Sequence, residues 1–367
     1  MKVILSVEAL GPQLSGIGRY TLELASRLPA SGQVESLRLY RNKRWVKELG
    51  PLLAGEKVLP RSWPKVVADW LLPSKVEKGE VFHGPNYFLP DFVEGGVATI
   101  HDLSVFRFPE THPPQRLVHF EREFKQSLKR AAHLITDTET VRQEVIGEYQ
   151  WPPEKITAVP LGVSSTFRPQ PPESIASMLA VHHLEPGGFA LCVSTIEPRK
   201  KIDRLLAAYS KIPAALRRQH PLVLIGGDGW LNESLHNEIE TARQQGWLKY
   251  LGFVPEAEMA AIYAGARAFM FPSVYEGFGL PVIEAMASGV PVVTSNRSCL
   301  PEISNGAALL VNPDDVDALG AAIQRSLEDD LWRASAIAAG LRVAGELTWD
   351  RCVQKTVDVY AKVLAAE

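Results

Sequence analysis

The sequence predicts an α/β protein built from two doubly wound, parallel-sheet domains, and three observations predict it. Short apolar runs of strand length recur along the chain, among them Val3–Val7, Val97–Ile100, Ala190–Val193, Leu222–Ile225 and Ala268–Phe271, with helical patterns between them. Several runs lead into glycine-bearing turns that open a helix, as at Gly16-Ile-Gly18, Gly226-Gly227 and Gly277-Phe-Gly279. A chain of 367 residues can fill two hydrophobic cores, and a proline-rich run at 169–172 reads as the linker. The expected division is 1–168, 169–349 and a terminal helix over 350–367.

Taken in order, Val3–Val7 is the first buried strand, and the stretch Gly11 to Tyr20 is the loop that precedes a helix through Leu22, Leu24, Ala25 and Leu28. Strand, glycine loop and helix make a phosphate-binding arrangement, so Gly16 and Gly18 are candidate contacts, although the full Gly-x-Gly-x-x-Gly fingerprint is lacking. Arg38, Arg41, Lys43, Arg44 and Lys47, with Trp45 among them, read as a solvated helix face; peripheral contact with anionic headgroups is the alternative, shared with Arg61, Trp63 and Lys65. Val81–His83 and Val97–Ile100 are further strands, ending at His83 and His101 on the carboxyl edge where open sheets bind ligands. Residues 113–132 form a helix whose Leu117, Phe120, Phe124 and Leu128 stripe is core packing. Thr138 opens another helix, with Arg142 placed for a surface ion pair. Ile156–Val159 closes the first half.

The second half repeats the scheme, with strands at 190–193, 222–225, 250–252, 268–271, 290–294 and 308–311. Directly after the first of these comes Ser194-Thr-Ile-Glu-Pro-Arg199-Lys200-Lys201. Arginine offers a bidentate fork to phosphate and lysine a point charge, so a strand-to-helix loop carrying both suits a diphosphate. The most informative stretch is Phe271 to Pro291. Pro272 stops a strand, the chain turns through Glu276-Gly277-Phe278-Gly279, and Leu280-Pro281 begins a helix that ends at Gly289. A glycine loop aimed at a helix start is an anion site, and Glu276 and Glu284 border it.

Composition narrows the classes. Hydrophobic 46% and charged 22% suit a soluble globular protein; a net charge of −3 argues neither for nor against nucleic acid, and no nucleic-acid partner is expected. Cys192, Cys299 and Cys352 lie far apart without metal-ligand spacing, which fits a reducing cytoplasm. The N-terminal residues run straight into a strand, so no leader is expected, and no apolar run approaches about 18 residues.

The spacing Glu276-x7-Glu284 with Gly-Phe-Gly-Leu-Pro between resembles the signature of retaining glycosyltransferase family 4. The likeness spans the chain, closest over 268–302, clear over 190–201 and 97–103, and loose over 30–80. It implies the GT-B arrangement, two Rossmann-like domains facing across a cleft, with the terminal helix crossing back to the first. It further implies that Glu276 and the amides of Phe278, Gly279 and Leu280 hold the donor sugar and its phosphates, and that Glu284 holds the ribose. Gly227 would sit near the nucleotide, Phe253 and Val254 would line the base, Gly16 and Gly18 would close over phosphate, and Arg142, in place of a surface ion pair, would face an anionic acceptor. His101 would donate to a sugar hydroxyl, with Asp102 accepting from the acceptor or orienting the ring; Arg199 and Lys200 would take the leaving diphosphate. The chain departs from the pattern at Lys201, where relatives often have Asn or Gly, and at Thr195, where many carry an arginine.

The expected reaction is transfer of a hexosyl group from a nucleotide sugar to a saccharide or lipid-linked hydroxyl with retention. GDP-mannose is the favoured donor, and neither metal nor cofactor is required. UDP-glucose, UDP-N-acetylglucosamine and deoxysugar nucleotides are the other donors. A glycoside hydrolase also uses paired carboxylates but has no task for the basic loop. A nucleotide-sugar epimerase would consume donor without acceptor, and a silent binding protein of this fold would not turn over.

Overall fold

The computed structural model describes residues 1–55, 76–111, 114–227 and 233–366. The chain separates into two compact units, one of residues 1–106, 112–162 and 349–367, the other of residues 107–111 and 163–348.

In the first unit seven strands lie in the order β3-β2-β1-β4-β5-β6-β7. They are β1 Lys2–Ser6, β2 Ser36–Arg41, β3 Arg44–Val46, β4 Glu80–Gly84, β5 Gly96–Ile100, β6 Ala131–Thr136 and β7 Ile156–Ala158. β1, β4 and β5 are buried almost throughout, as strands covered on both faces must be. Val3 pairs with Leu37 on one side and Val81 on the other, all in parallel register. The chain builds outward in both directions from β1 and β4, so strand order reverses between them. The core joins Ile4, Phe82, Ala98 and Leu134 to Phe124, Val141 and Val145 from the covering helices.

The cationic segment is a hairpin and not a helix face. β3 is antiparallel to β2, Tyr40 faces Trp45, and Asn42 and Lys43 make the turn with φ of 47° and 60°. Leu37 and Leu39 alternate with Arg38 at the strand period, which is why helical spacing fails there. Arg38 lies 4.5 Å over the Trp45 ring and bonds Glu80 at 2.6 Å, so its charge is taken up within the sheet. Lys43, Arg44 and Lys47 stay exposed. Arg61, Trp63 and Lys65 lie outside the described residues. No helix among the described residues is long and apolar enough to cross a membrane.

The terminal helix Trp349–Ala365 packs against the helix Gly16–Arg27 and against β4 and β6. A buried polar chain ties them: His83 Nδ1 to Tyr360 at 2.7 Å, His83 Nε2 to Thr99 at 2.8 Å, and Thr99 to the Tyr20 hydroxyl at 3.1 Å. His83 is therefore a structural histidine. Burial, then the neighbouring His101, pushes its pKa down to about 3. A histidine depressed when folded stabilises the protein above its unfolded value near 6.5, and that stability drains away as pH falls towards the folded value. Scanning calorimetry should therefore show the melting temperature falling between pH 7 and pH 5, with a shallower slope in His83→Gln; equal slopes would refute the assignment.

In the second unit six strands run wholly parallel in the order β10-β9-β8-β11-β12-β13. They are β8 Ala190–Val193, β9 Leu222–Ile225, β10 Leu248–Gly252, β11 Ala268–Phe271, β12 Val292–Ser295 and β13 Ala308–Val311. β12 starts two residues later than its apolar run, because Pro291 has no N–H for the ladder. Cys192, Leu224, Met270 and Val293 of the sheet meet Ile202, Leu205 and Ile323 of the helices. Here strand order reverses between β8 and β11.

Candidate active site

β8 and β11 are neighbours, Ala268 beside Ala190 and Phe269 beside Leu191, so the loops at their carboxyl ends leave the sheet side by side at the reversal. Two bonds to the Arg199 carbonyl join the loops, from Val274 N–H at 2.9 Å and from the Ser273 hydroxyl at 3.3 Å. The short turn Pro198–Lys200 ends at Lys201, φ 54°, and aims Arg199 and Lys200 at the β11 loop.

Arg199 donates to the Tyr275 carbonyl at 2.7 Å and to Glu276 Oε2 at 3.2 Å, and its other terminal nitrogen pairs with Glu197 at 2.8 Å. Lys200 Nζ donates to Glu276 Oε1 and lies 5.2 Å from the Phe271 ring centre. Lys200 and Glu276 are each 8% exposed, so this is a buried ion pair. Burial alone would raise the Glu276 carboxyl, but Lys200 and Arg199, with the Ser273 hydroxyl, hold it below the usual carboxylate range. Two cations face two carboxylates here, so the group is locally neutral. Lys200 and Arg199 are thus already paired, and any anion entering here would share them with Glu276 and Glu197.

Two residues absent from the sequence-based set hold the Glu276 loop. Ser298 accepts from Glu276 N–H at 3.2 Å and donates to its carbonyl at 2.8 Å, and the Cys299 thiol points at the Glu276 and Phe278 carbonyls at 3.2 and 3.3 Å. Gly279 adopts φ 96° immediately before the helix Leu280–Ala287, and a Cβ there would stand 2.9 Å from Leu300. In the first helical turn Pro281 has no N–H and the Val282 amide bonds the Gly279 carbonyl at 3.0 Å, so the Leu280 amide is the donor this helix start offers an anion. Glu284, half-buried in that helix, faces the Tyr263 hydroxyl; burial first, then Glu284, raises the tyrosine. Lys201 turns away to Asp314 at 3.1 Å, and Thr195 donates to Glu197 at 3.2 Å.

Other expected contacts separate. Phe253 is 68% exposed, whereas Val254 is packed inside, so the two do not form one wall. Gly227 is exposed and accepts from Ile196 N–H at 3.2 Å; the glycine the backbone requires is its neighbour Gly226.

In the first unit, Gly16 and Gly18 belong to the opening turn of the helix, not to the loop before it. The Gly18 amide is already bonded to the Ser15 hydroxyl at 3.2 Å, and a Cβ on Gly18 would meet the Ala9 carbonyl at 3.1 Å. Gly18 thus serves the loop's own packing. His101 is buried with both ring nitrogens engaged: Nδ1 with Asp137 Oδ2 and Nε2 with the Pro85 carbonyl, each at 2.8 Å. A carbonyl can only accept, so Nε2 carries a proton, and Asp137 beside Nδ1 favours the second. Burial opposes the charge, but Asp137 and the Pro85 carbonyl leave His101 raised. No ring N–H remains for a sugar hydroxyl. Asp102 is held through Oδ1, which accepts from the Ser104 amide at 2.8 Å and the Tyr87 hydroxyl at 3.3 Å. Arg142 spends its fork on the Ile156 and Pro153 carbonyls at 2.9 and 2.7 Å and pairs with Glu139 at 2.8 Å.

The model of the glycosyl transferases group 1 family matches residues 181–342, which carry β8 to β13 and both loops. O-antigen chain mannosyltransferase B of Escherichia coli is 38% identical, over 98% of this chain and 99% of its own. O-antigen chain mannosyltransferase RfbU of Salmonella typhimurium is 29% identical, over 62% of this chain and 59% of its own. Among solved structures, sucrose-phosphate synthase from Thermosynechococcus elongatus superposes with a TM-score of 0.73 at 21% identity, covering 100% of both chains. WaaG, a glycosyltransferase involved in lipopolysaccharide biosynthesis, gives 0.68 at 17% identity over 98% of this chain and 99% of its own. These two likenesses concern the fold alone. The basic β8 loop, the glutamate loop of β11 and the full-length relative agree: the chain belongs to the glycosyl transferases group 1 family and is a glycosyltransferase of the GT-B type.

Proposed function

We propose that this enzyme transfers a mannosyl group from GDP-mannose to a hydroxyl of a saccharide or lipid-linked saccharide, with retention at the anomeric carbon and without a metal ion. The observation that carries the reading is the buried Lys200–Glu276 pair beside Arg199 at the sheet reversal. The mannose assignment rests on the two mannosyltransferases to which the chain is similar.

The barrier to such a transfer is departure of a nucleoside diphosphate while an oxocarbenium-like centre forms. Negative charge grows on the phosphate oxygens, and fixed positive groups there lower the barrier by a few kcal/mol, on the order of what one oxyanion donor contributes. Lys200, Arg199 and the helix start at Gly279–Leu280 supply that charge, which is the argument for a metal-free reaction. Glu276 orients the sugar hydroxyls, Glu284 takes the ribose, and Phe253 offers a face to the base. The leaving phosphate can itself take the acceptor proton, so no separate protein base is needed.

Thermal shift against GDP, UDP, dTDP and their sugars, followed by donor consumption with and without acceptor extract, tests the proposal. GDP and GDP-mannose should stabilise the protein most. Consumption should depend on acceptor, and proton NMR of the product should show the donor's anomeric configuration. Acceptor-independent conversion would support an epimerase, binding without turnover a silent binder, and no nucleotide binding would end the reading.

A further inference from the structure

Tyr263 is fully buried in the helix Glu256–Gly265, and its hydroxyl completes no hydrogen bond among the described residues. A buried phenol left in this way is uncommon and costs stability, so it calls for an account. The charged group it faces is Glu284, on the neighbouring helix Leu280–Ala287. Burial, then that carboxylate, holds the phenol protonated well above its ordinary range, so the hydroxyl is a donor at any working pH.

The ring is not free to turn to another partner. Phe167 meets it edge-on, with ring centres 5.4 Å apart and planes at 90°, and Phe269 of β11 lies against it at 5.5 Å. Phe269 in turn stacks on Phe271, whose ring carries Lys200 above it. The direction of the hydroxyl is thus set by the aromatic stack that also supports the basic group of the site. Glu284 is the adaptable member of the pair, half-buried and with three side-chain torsions, whereas the tyrosine is locked by packing. No ligand reaches the buried hydroxyl directly, so its effect passes through Glu284.

We propose that Tyr263 is a positioning residue for donor binding: when the nucleotide enters, Glu284 accepts from the Tyr263 hydroxyl with one carboxylate oxygen and presents the other to the ribose hydroxyls. A carboxylate has acceptor sites on both oxygens, so the two sets of bonds do not compete. A neutral donor fixes the carboxylate without cancelling its charge, which keeps its bonds to the ribose charge-assisted. The free protein leaves the phenol unsatisfied and the bound protein satisfies it, and that difference favours the bound state only when a ribose hydroxyl holds Glu284 in place. Ribonucleotide is thereby selected over deoxyribonucleotide through a residue the donor never touches. The inference rests on the reading above that Glu284 takes the ribose.

Calorimetric titration of GDP against its 2′,3′-dideoxy analogue, and of UDP against its own, tests the proposal in wild type, Tyr263→Phe and Glu284→Ala, with the melting temperature of each free protein recorded. Wild type should prefer the ribonucleotide of the base it binds by at least tenfold. Tyr263→Phe should weaken the ribonucleotide by about tenfold, the scale of one lost hydrogen bond to a charged group, and leave the dideoxy analogue within twofold. Its melting temperature should equal or exceed that of wild type, because phenylalanine removes an unsatisfied hydroxyl and leaves no void. A tyrosine with a merely structural role would instead lower the melting temperature and leave the ribose preference intact. A preference kept in Tyr263→Phe and lost in Glu284→Ala would overturn this inference alone. A preference kept in Glu284→Ala, equal binding of both analogues by wild type, or no nucleotide binding would remove the ribose role of Glu284 and this inference with it.

Discussion

Lys200→Met is expected to lower kcat with a nucleotide-sugar donor by about 10²- to 10³-fold, the usual loss on removing one charge-stabilising donor. Methionine keeps the stem length and the contact with Phe271 but removes the charge proposed to meet the leaving group. The same change strands Glu276, 8% exposed, with Arg199 as its remaining cation at 3.2 Å. Removing one partner of a buried pair typically costs about 3–5 kcal/mol, and Arg199 should keep the cost near the lower end. The double variant Lys200→Met/Glu276→Gln separates the two effects. It removes the stranded charge, so stability should recover while activity does not. Turnover of Lys200→Met within about threefold of wild type would show that Lys200 does not serve the leaving group.

The same pair sets a pH signature. In the wild type Glu276 is held below its ordinary value, so its stabilisation is complete above the unfolded carboxylate pKa near 4.3 and is lost as pH falls through the depressed folded value. Without Lys200, burial acts on Glu276 with less opposition and its pKa rises. The stability gap between wild type and Lys200→Met should therefore narrow between pH 7 and pH 4 in thermal denaturation, and a constant gap would contradict the buried-pair account.

What the sequence makes legible follows from how locally each feature is encoded. β8, β9 and β11 match their apolar runs residue for residue, because a buried parallel strand is a continuous hydrophobic run bounded by turn residues; the edge strand β13 matches too, although it is only partly buried. The Glu276 loop and the Arg199–Lys200 loop are readable as separate strand-end segments. Their contact is not, since it depends on β8 lying beside β11, a pairing 76 residues apart in sequence at Lys200–Glu276. The β2–β3 hairpin escapes such a reading because short alternation of arginine and leucine fits a solvated helix face nearly as well as a strand. His101 is legible as a strand-end residue, but its partners come from the residue after β6 and from the turn after β4, which nothing near position 101 signals. The left-handed backbone at Tyr87, φ 63°, leaves no trace either, because tyrosine is not a residue that marks a turn. Gly84, at the end of a buried strand and without the Cβ that would meet the Phe88 carbonyl, is the available hint.

Gly226→Ala is expected to destabilise the second unit by about 3–5 kcal/mol, among the larger effects of a single substitution, while Gly227→Ala stays within about 0.5 kcal/mol of wild type. The two glycines are adjacent but meet different surroundings. A Cβ on Gly226 would fall 1.9 Å from the Ser194 carbonyl oxygen and 2.6 Å from its carbon, and the residue sits at φ 147°. No flexible side chain can give way, since the obstacle is backbone pinned by the bond from Ser194 N–H to the Ile225 carbonyl at 2.8 Å. Gly226 is itself fixed on its other side, donating to the Gly252 carbonyl and accepting from the Tyr250 hydroxyl, both at 2.9 Å. A methyl group must therefore spread β8 from β9 at their carboxyl ends, where the chain enters the loop that carries Arg199 and Lys200. At Gly227, by contrast, a methyl group would meet nothing within 4 Å, and there is no left-handed φ to protect. If Gly227 lies against the donor nucleotide, its alanine variant should raise donor KM at unchanged melting temperature. Urea unfolding of both variants decides the stability comparison, and a Gly226→Ala midpoint equal to that of wild type would show that the exit of β8 yields more readily than its hydrogen bonds imply.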